Sequence, residues 1–311
     1  MMDKMLFFEP RQKLQELICF PEGEPEMTEF ESAFLCGLIK KCSPHKIIEV
    51  GIAAGGTTAI ILSCLKQLGM NLSTELHSVD ISEKFYRGKG EKSGYLAEIA
   101  KKKLQSEFHH TYHLGNVLPT FLDEIGNNID FAILDTTHSM PGEILEFITL
   151  YPYLSPNACI VLHDIANNHY GSSTSAFATQ VLLDSVTATK IVEQDDSRES
   201  QYPNIGAFVL NEDTSKYIKD VFNSLMISWN YIPHNDVFLK YTDNICRNYR
   251  IEFQQIITTI YQLQLKTWEK QQITENTTFE NLSWRKSNSY KIGRFITYIP
   301  RKIKKIIQRF Q

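Results

Sequence analysis

Between residues 46 and 210 the chain alternates short apolar runs with amphipathic helical patterns, and this alternation constrains its fold more than any other feature. The predicted strands cover residues 46–50, 75–79, 111–114, 129–135, 158–163, 189–193 and 206–210, and the predicted helices between them cover 57–68, 94–107, 118–125, 142–153 and 174–186. Runs such as 131–134 and 159–162 are apolar at every position, as expected when helices cover both faces of a parallel sheet. We therefore predict an α/β fold: a doubly wound, Rossmann-like, seven-stranded and mostly parallel sheet.

Helical segments flank this predicted core. Thr28 and Glu31 form a capping-box pattern that predicts a helix ending near Lys41. After residue 210 the alternation stops, and helices are predicted over 215–230 and 246–272. The second of these is amphipathic and rich in glutamine, which favours packing on a neighbouring surface, within the chain or in a homo-oligomer.

The composition also suggests where the parts of the chain begin and end. Residues 273–283 are polar and predict a linker. The predicted parts are an N-terminal helical cap (1–45), a core domain (46–211), a helical extension (212–275), and a linker with a basic tail (276–311).

The first predicted strand runs directly into a glycine-rich turn, with the pattern Glu49-x-Gly51-x-x-x-Gly55. Glycines let a backbone approach a ligand closely, and a helix starting near Thr57 points free N–H groups into the same space. This junction predicts binding of a nucleotide-like ligand. It lacks the G-x-G-x-x-G fingerprint of dinucleotide sites.

In doubly wound sheets, ligands bind outside the carboxyl ends of the strands. Asp80 ends the second predicted strand, where its carboxylate can accept hydrogen bonds from a ribose diol. Asn116 follows the third strand, where it can contact an adenine edge, although an Asn after Gly is also common in turns. Both side chains are predicted to bind the same ligand as the glycine-rich junction.

A second group of polar residues follows the fourth and fifth predicted strands. Asp135 ends the fourth strand, His138 comes one turn later, and His163 and Asp164 end the fifth. Neighbouring strands lie about 5 Å apart, so Asp135 and Asp164 are close enough to share one cation. Strand-end acids that only fix a loop, and a histidine that only caps a helix, are the alternative interpretation.

Together these motifs, over about residues 27–211, resemble the class I S-adenosylmethionine-dependent methyltransferases. More narrowly, Asp135-Thr136-Thr137-His138 and His163-Asp164 resemble the metal-dependent O-methyltransferase branch, which includes catechol O-methyltransferase and the macrocin and mycinamicin sugar O-methyltransferases. The first member of the His163-Asp164 pair is an acid in those enzymes. Imidazole suits Zn²⁺, Mn²⁺ or Fe²⁺ better than Mg²⁺, so this departure leaves the metal and the role of His163 open.

The resemblance implies roles for each site residue. S-adenosylmethionine would be bound by Glu49, Gly51, Ala53, Gly55, Asp80 and Asn116, a divalent metal (Mg²⁺ or Mn²⁺) would be held by Asp135, His163 and Asp164, and His138 would be the general base. The implied reaction is methylation of a sugar hydroxyl, of a surface polysaccharide or sugar-nucleotide precursor. A nicotinamide-dependent oxidoreductase and a non-catalytic, membrane-associated glycan-assembly protein are the alternatives.

Positive charge is concentrated at the C-terminus. The formal net charge of the chain is −4, yet residues 285–311 contain nine Lys or Arg and no acid. A helix over 301–310 would place isoleucines on one face and cations on the other, which suits the surface of an anionic membrane. A solvated tail, or one docked on the acidic body, is the alternative, and nucleic acid is not expected because no aromatic-interleaved groove accompanies the charge.

Cysteine usage and hydropathy predict the compartment. The six cysteines form no C-x-x-C pair, which is typical of reduced thiols in a cytosolic protein. No window approaches the about 20 apolar residues of a membrane span, and the first residues do not form a signal peptide. We expect a cytoplasmic protein with peripheral association at the inner membrane through 285–311.

Overall fold

The computed structural model describes residues 27–170, 176–196, 198 and 201–286. Seven strands lie in this part of the chain: β1 (Lys46–Val50), β2 (Glu75–Asp80), β3 (His109–Leu114), β4 (Ile129–Leu134), β5 (Leu154–His163), β6 (Thr189–Ile191) and β7 (Ile205–Val209). The α-helices are α1 (Glu29–Cys42), α2 (Gly56–Gln67), α3 (Tyr95–Leu104), α4 (Leu122–Ile125), α5 (Gly142–Leu150), α6 (Asn167–Tyr170), α7 (Ala178–Ser185), α8 (Glu212–Ser224), α9 (Asn235–Asn248) and α10 (Ile251–Lys286).

The strands form one sheet in the order β3-β2-β1-β4-β5-β7-β6. Strands β1 to β5 are parallel, and β7 is antiparallel to both of its neighbours. The predicted doubly wound, mostly parallel, seven-stranded sheet is therefore confirmed. The strand order reverses between β1 and β4, and such a switch point opens a crevice at the carboxyl ends of the strands.

The register brings those carboxyl ends level with one another. Val50 pairs with Val79 on one side and with Leu134 on the other, and Leu134 pairs with Leu162. The residues that follow β1, β2, β4 and β5 therefore meet at one edge of the sheet. This alignment is what brings residues distant in sequence into a single site.

Apolar side chains on both faces hold the sheet in place. On one face, residues such as Ile47 and Phe131 are fully buried in a core built with α1, α2 and α3. On the other, Phe147 of α5 packs edge-on against Phe208 of β7, with ring centroids 5.4 Å apart. Burial of a Phe side chain contributes about 2–3 kcal/mol, so these two layers account for much of the stability.

Helix α1 begins at the predicted capping box. The Thr28 hydroxyl accepts the N–H of Glu31 at 3.2 Å, and the Glu31 carboxylate accepts the N–H of Thr28 at 2.6 Å. Both partners satisfy N–H groups that the helix leaves free. The same Glu31 side chain turns inward and is 1% exposed, so the cap also reaches the interior.

The C-terminal part of the chain differs from its prediction in two places. Helix α9 was not predicted, and residues 273–283, interpreted as a linker, lie within α10. No Gly or Pro interrupts residues 251–286, so the polar composition there does not break the helix. Elsewhere, the helix predicted over 142–153 ends at Leu150, because Pro152 favours the tighter 3₁₀ turn that follows.

The described residues fall into two compact units, one ending at Ile260 and the other beginning at Tyr261. The sheet and the crevice belong to the first. The predicted amphipathic helix over 301–310 lies outside the described residues, as do residues 1–26 of the predicted cap. None of the described helices is long and apolar enough to cross a membrane.

Candidate active site

The glycine-rich junction has the close backbone approach that its sequence predicts. Gly51 has φ +95°, and a Cβ added there would lie 1.8 Å from the carbonyl oxygen of Asp135. Its N–H donates to Val79 O at 2.9 Å, which ties the turn to β2. Gly55, with φ +90°, is the N-cap of α2, and Ala53 also has a positive φ of 48°. The turn is therefore compact and fixed to the ends of two strands.

Asp80 holds this junction from the neighbouring strand. Its Oδ2 accepts the N–H groups of Ile52 and Ala53, both at 3.0 Å, and its Oδ1 accepts the N–H of Ser82 at 2.8 Å. The carboxylate also borders the cavity described below. A carboxylate has about four acceptor positions, so contact with a ribose diol remains compatible with these bonds and stays a prediction.

Glu49 lies beneath the junction and is fully buried. Its Oε2 accepts the hydroxyls of Thr58 at 2.7 Å and Ser78 at 2.8 Å, while Oε1 is buried without a hydrogen-bond partner among the described residues. Burial raises its pKa to about 7, against the lowering effect of those two hydroxyls. Glu49 thus links β1, β2 and α2, and its predicted contact with a cofactor is untested.

Asn116 lies on the far side of β2 from the junction and also borders the cavity. Its Oδ1 accepts the Lys240 ammonium at 2.7 Å and the N–H of Val117 at 3.0 Å. Lys240 belongs to α9, so the helical extension contacts the predicted adenine side of the site. Contact of Asn116 with an adenine edge stays a prediction.

These residues enclose a cavity of about 440 Å³ at the carboxyl edge of the sheet. Its walls come from the junction, from the loops after β2, β3 and β4, and from the helical extension. The residues that border it are Val50, Gly51, Ile52, Ala53, Gly56, Thr57, Val79, Asp80, Ile81, Tyr86, Asn116, Val117, Leu118, Asp135, Thr136, Thr137, His138, Gly142, Leu145, Glu146, Tyr231, Ile232, Pro233, His234, Val237 and Tyr241. A volume of this size suits a small organic ligand.

Three of the predicted side chains converge at one side of this cavity. Asp135, His138 and Asp164 each offer one ligand atom, and these atoms all lie within 4.8 Å of one another. His138 Nε2 is 3.1 Å from Asp164 Oδ2 and 3.7 Å from Asp135 Oδ1. The two carboxylates suit a divalent cation such as Mg²⁺ or Mn²⁺, so they fit the metal that the resemblance implies, with the imidazole beside them.

Polar neighbours fix the members of this cluster. The backbone N–H of His138 donates to Glu143 Oε1 at 2.6 Å, and its ring Nδ1 lies 3.6 Å from the same oxygen. Asp164 accepts the side-chain amides of Asn204 and of Asn167. His138 and Asp164 both have positive φ values, 54° and 58°, which is uncommon outside functional loops.

His163, predicted as a metal ligand, lies directly beside this cluster, with Nδ1 3.8 Å from Asp164 Oδ1. It is 3% exposed, with Nδ1 3.2 Å from Asp135 Oδ1 and Nε2 3.5 Å from Glu31 Oε2. Burial alone would lower its pKa, but the surrounding carboxylates raise it well above the usual value. In this position His163 can hold Asp135 in place, as residues around a metal site often do, and its part as a metal ligand stays a prediction.

Sequence reasoning missed several residues of the site. Glu31, Glu143 and Glu146 are at least nine-tenths buried, and Tyr231 and Tyr241 come from the helical extension. Glu31 was identified only as part of the capping box, and Glu143 and Glu146 carry no motif, although a carboxylate within an apolar helical stripe such as 142–150 is a usable signal. The two tyrosines reach the cavity only through tertiary packing.

Comparison with known proteins agrees with this geometry. Residues 48–165 match a family model described as a methyltransferase domain. No curated protein matches the chain significantly. The matched residues contain the junction, Asp80, Asn116, Asp135, His138 and Asp164. The predictions of a methyltransferase and of an enzyme are therefore confirmed for this region.

Solved structures with distant likeness include several methyltransferases. The O-methyltransferase TomG from Streptomyces achromogenes, involved in tomaymycin synthesis and solved with SAM, is 15% identical over 68% of this chain and 100% of its own, with TM-score 0.45. The SAH-bound methyltransferase PaMTH1 from Podospora anserina is 12% identical over 68% and 88%, with TM-score 0.46. An O-methyltransferase from Bacillus cereus, in complex with SAH, is 15% identical over 66% and 90%, with TM-score 0.40.

Proposed function

We propose that the protein transfers the methyl group of S-adenosylmethionine to a hydroxyl oxygen, with assistance from a divalent cation. The observation that carries this proposal is the convergence of Asp135, His138 and Asp164 beside the cavity that the glycine-rich junction borders. A donor bound over Gly51 and Asp80 would share that cavity with an acceptor facing these three side chains.

The residues present can supply what the reaction needs. A hydroxyl is a poor nucleophile at neutral pH, and a divalent cation held by Asp135 and Asp164 would make it more acidic. In methyl transfer, the new bond joins the acceptor oxygen to the methyl carbon while the carbon–sulfur bond breaks, leaving S-adenosylhomocysteine and a methyl ether. The hydroxyl proton needs an acceptor, and His138 is placed to take it.

His138 has the support expected of a base. Its ring nitrogens face Asp164 on one side and Glu143 on the other, so the ring is held in one orientation. A carboxylate on the far nitrogen stabilises the charge that the ring gains with a proton. We assign Asp135 and Asp164 to the cation and His138 to the proton, and His163 to holding Asp135.

The acceptor that we propose is a sugar hydroxyl, of a surface polysaccharide or sugar-nucleotide precursor. Tyrosine rings and carboxyl groups border the side of the cavity formed by the helical extension. Such groups suit a ring that carries hydroxyls on its edge and C–H groups on its faces. The basic segment 285–311 supports work on a membrane-linked glycan, because it suits an anionic surface.

The first test is binding, which needs no acceptor. Calorimetry should show that the protein binds S-adenosylhomocysteine, and Mn²⁺ titration followed by electron paramagnetic resonance should show one bound ion. Asp164→Asn should weaken Mn²⁺ binding at least about tenfold, because a carboxylate ligand is lost. Asp184→Asn removes an exposed acid of α7 and is the matched control, for which we expect no change.

Two outcomes would contradict the proposal separately. Absence of S-adenosylhomocysteine binding would remove the methyl donor. Mn²⁺ affinity that is equal in the wild type, Asp164→Asn and Asp184→Asn would remove the cation while leaving the methyl donor in place.

A further inference from the structure

Two buried acids of α5 lie against the wall of the cavity and share one hydrogen-bond donor. The hydroxyl of Thr136 lies 3.0 Å from Glu143 Oε1 and 3.0 Å from Glu146 Oε2. A hydroxyl has one proton and can donate to only one of them at a time. Glu143 Oε1 also accepts the backbone N–H of His138, so Glu146 is the acid that depends on the shared donor.

Burial increases the free-energy cost of a carboxyl group that has few hydrogen-bond donors. Glu143 is fully buried and its Oε2 has no hydrogen-bond partner among the described residues, and Glu146 is 8% exposed and borders the cavity. Burial, with the charge of Glu143 as a second cause, raises the pKa of Glu146 to about 8. An acid in this state gains most from a partner that brings positive charge.

Two tyrosines of the helical extension, Tyr231 and Tyr241, border the same cavity as Glu146. Tyr231 is hydrogen-bonded to the side chain of Thr137, and Tyr241 is 6% exposed. No side chain in the described part of the chain bonds the Tyr241 hydroxyl, which borders the cavity. Burial raises the pKa of both phenols, and the charge of Glu146 adds to this. Both rings are therefore neutral and electron-rich.

Together, these acids and tyrosines have the chemistry of a cation-binding site. A buried carboxyl group with aromatic rings around it attracts an ammonium group by charge and by cation–π contact. No Lys or Arg is among the described residues that border the cavity, and its basic side chains are His138 and His234. Resting on the function proposed above, we propose that Glu146, Tyr231 and Tyr241 bind a protonated amine of the methyl acceptor, which is then an amino sugar.

A protonated amine is also present in the methyl donor, on its methionine part. Thr136 lies close to Gly51 of the glycine-rich junction, so the sheet order alone does not separate the two sources. The two tyrosines do separate them, because they lie outside the matched methyltransferase region, residues 48–165. They favour the acceptor, and the effect of Glu146→Gln on S-adenosylhomocysteine binding distinguishes the two sources.

The test compares two sugars that differ in charge. D-glucosamine and N-acetyl-D-glucosamine share a ring, and only the first has an ammonium group. Ligand-observed NMR titrations should be run on the full chain, both free and saturated with S-adenosylhomocysteine. We expect D-glucosamine to bind about tenfold more tightly, which corresponds to one charge-assisted hydrogen bond.

Substitutions test which residues cause the preference for D-glucosamine. Glu146→Gln should bring the two sugars to equal affinity while leaving the dissociation constant of S-adenosylhomocysteine within about twofold of the wild type. Tyr241→Leu should reduce the preference about threefold through the lost cation–π contact. Glu107→Gln removes the charge of an exposed acid and should change nothing. Circular dichroism confirms that each variant is folded.

Several results would overturn the proposal. Equal binding of the two sugars to the wild type, or an unchanged preference in a folded Glu146→Gln variant, would exclude the amine site. Loss of S-adenosylhomocysteine affinity in Glu146→Gln would instead assign the amine to the methyl donor. Failure of the wild type to bind S-adenosylhomocysteine would contradict the methyltransferase proposal alone, because the sugar preference is also measured on the free protein.

Discussion

At the scale of single residues, buried charges alternate in sign from the periphery to the candidate site. His163 lies between Asp135 and Glu31, and Glu31 accepts a hydrogen bond from Arg198 at 2.9 Å. Arg198 in turn pairs with Asp195 at 3.0 Å. Burial would raise the pKa of Glu31, but His163 and Thr28 lower it to about 2. Glu31 therefore connects the cap of α1 to the carboxylate that we assign to the cation.

We predict that Glu31→Gln destabilises the protein by about 3 kcal/mol, because it removes the buried anion that His163 and the half-buried Arg198 share. Glutamine keeps the capping box, so the loss reports the charge. The folded pKa lies below the ordinary 4.5, so the stabilisation is complete above pH 4.5 and is lost as the pH falls toward 2. Urea unfolding at neutral and at acidic pH measures both effects.

A matched control exists on the same helix turn. Glu29 is exposed, and Glu29→Gln removes one charge from the same helix end, which should cost no more than about 1 kcal/mol. Equal unfolding midpoints for the two variants would mean that the Glu31 charge contributes nothing beyond the helix terminus.

At the scale of elements, the junction between β1 and α2 is fixed by contact between backbones. We predict that Gly51→Ala destabilises the protein by more than about 3 kcal/mol and weakens S-adenosylhomocysteine binding at least about tenfold. An alanine Cβ would collide with the backbone of Asp135, and φ +95° is unfavourable for any side chain. Thermal unfolding and calorimetry measure the two effects.

The variant Gly69→Ala separates the cost of backbone strain from the cost of a steric collision of the added Cβ. Gly69 has φ +69°, yet a Cβ there would meet no atom within 4 Å, so only the backbone strain of about 1–2 kcal/mol is expected. If the two alanine variants lose the same stability, then the close approach of Gly51 to Asp135 is not what fixes the junction.

Whether the sequence predicts an element depends on whether the signal for that element is local in sequence. Strands β1, β4 and β5 each contain a short apolar run and helix α1 begins at a capping box, and all four were predicted because the signals are local. Helix α9 was missed because its packing, through residues such as Phe238 and Ile245, gives only a short apolar stripe. Residues 273–283 were misjudged because polar composition was given more weight than the absence of helix breakers.

The residues of the candidate site also fall into two groups, those that the sequence predicts and those that only packing brings to the site. Asp80, Asp135, His138 and Asp164 were found because each follows a strand, and parallel strands end at one edge. Glu146 and Tyr241 were missed because only the packing of α5 and α9 brings them to the cavity. His163 was placed at the right strand end, but its environment, set by Glu31 of α1, could not be predicted from its own neighbours in sequence.

At the scale of the whole molecule, charge is distributed unevenly along the chain. The net charge is −4, whereas residues 285–311 are basic throughout. An acidic body is repelled by an anionic lipid surface, and a basic segment is attracted to it with about 1 kcal/mol per cation near the surface. We propose that this segment holds the enzyme at the membrane that carries its acceptor.

We predict that the triple change of Lys302, Lys304 and Lys305 to Gln lowers binding to phosphatidylglycerol vesicles at least about tenfold, in a sedimentation assay at low salt. The matched control changes Lys101, Lys102 and Lys103 of α3 to Gln, which removes equal charge from the body and should have little effect. Wild-type binding should weaken as salt is raised, because screening shortens the range of attraction. If the tail variant sediments like the wild type while the control does not, the attraction belongs to the body and the proposed membrane role of the tail is lost.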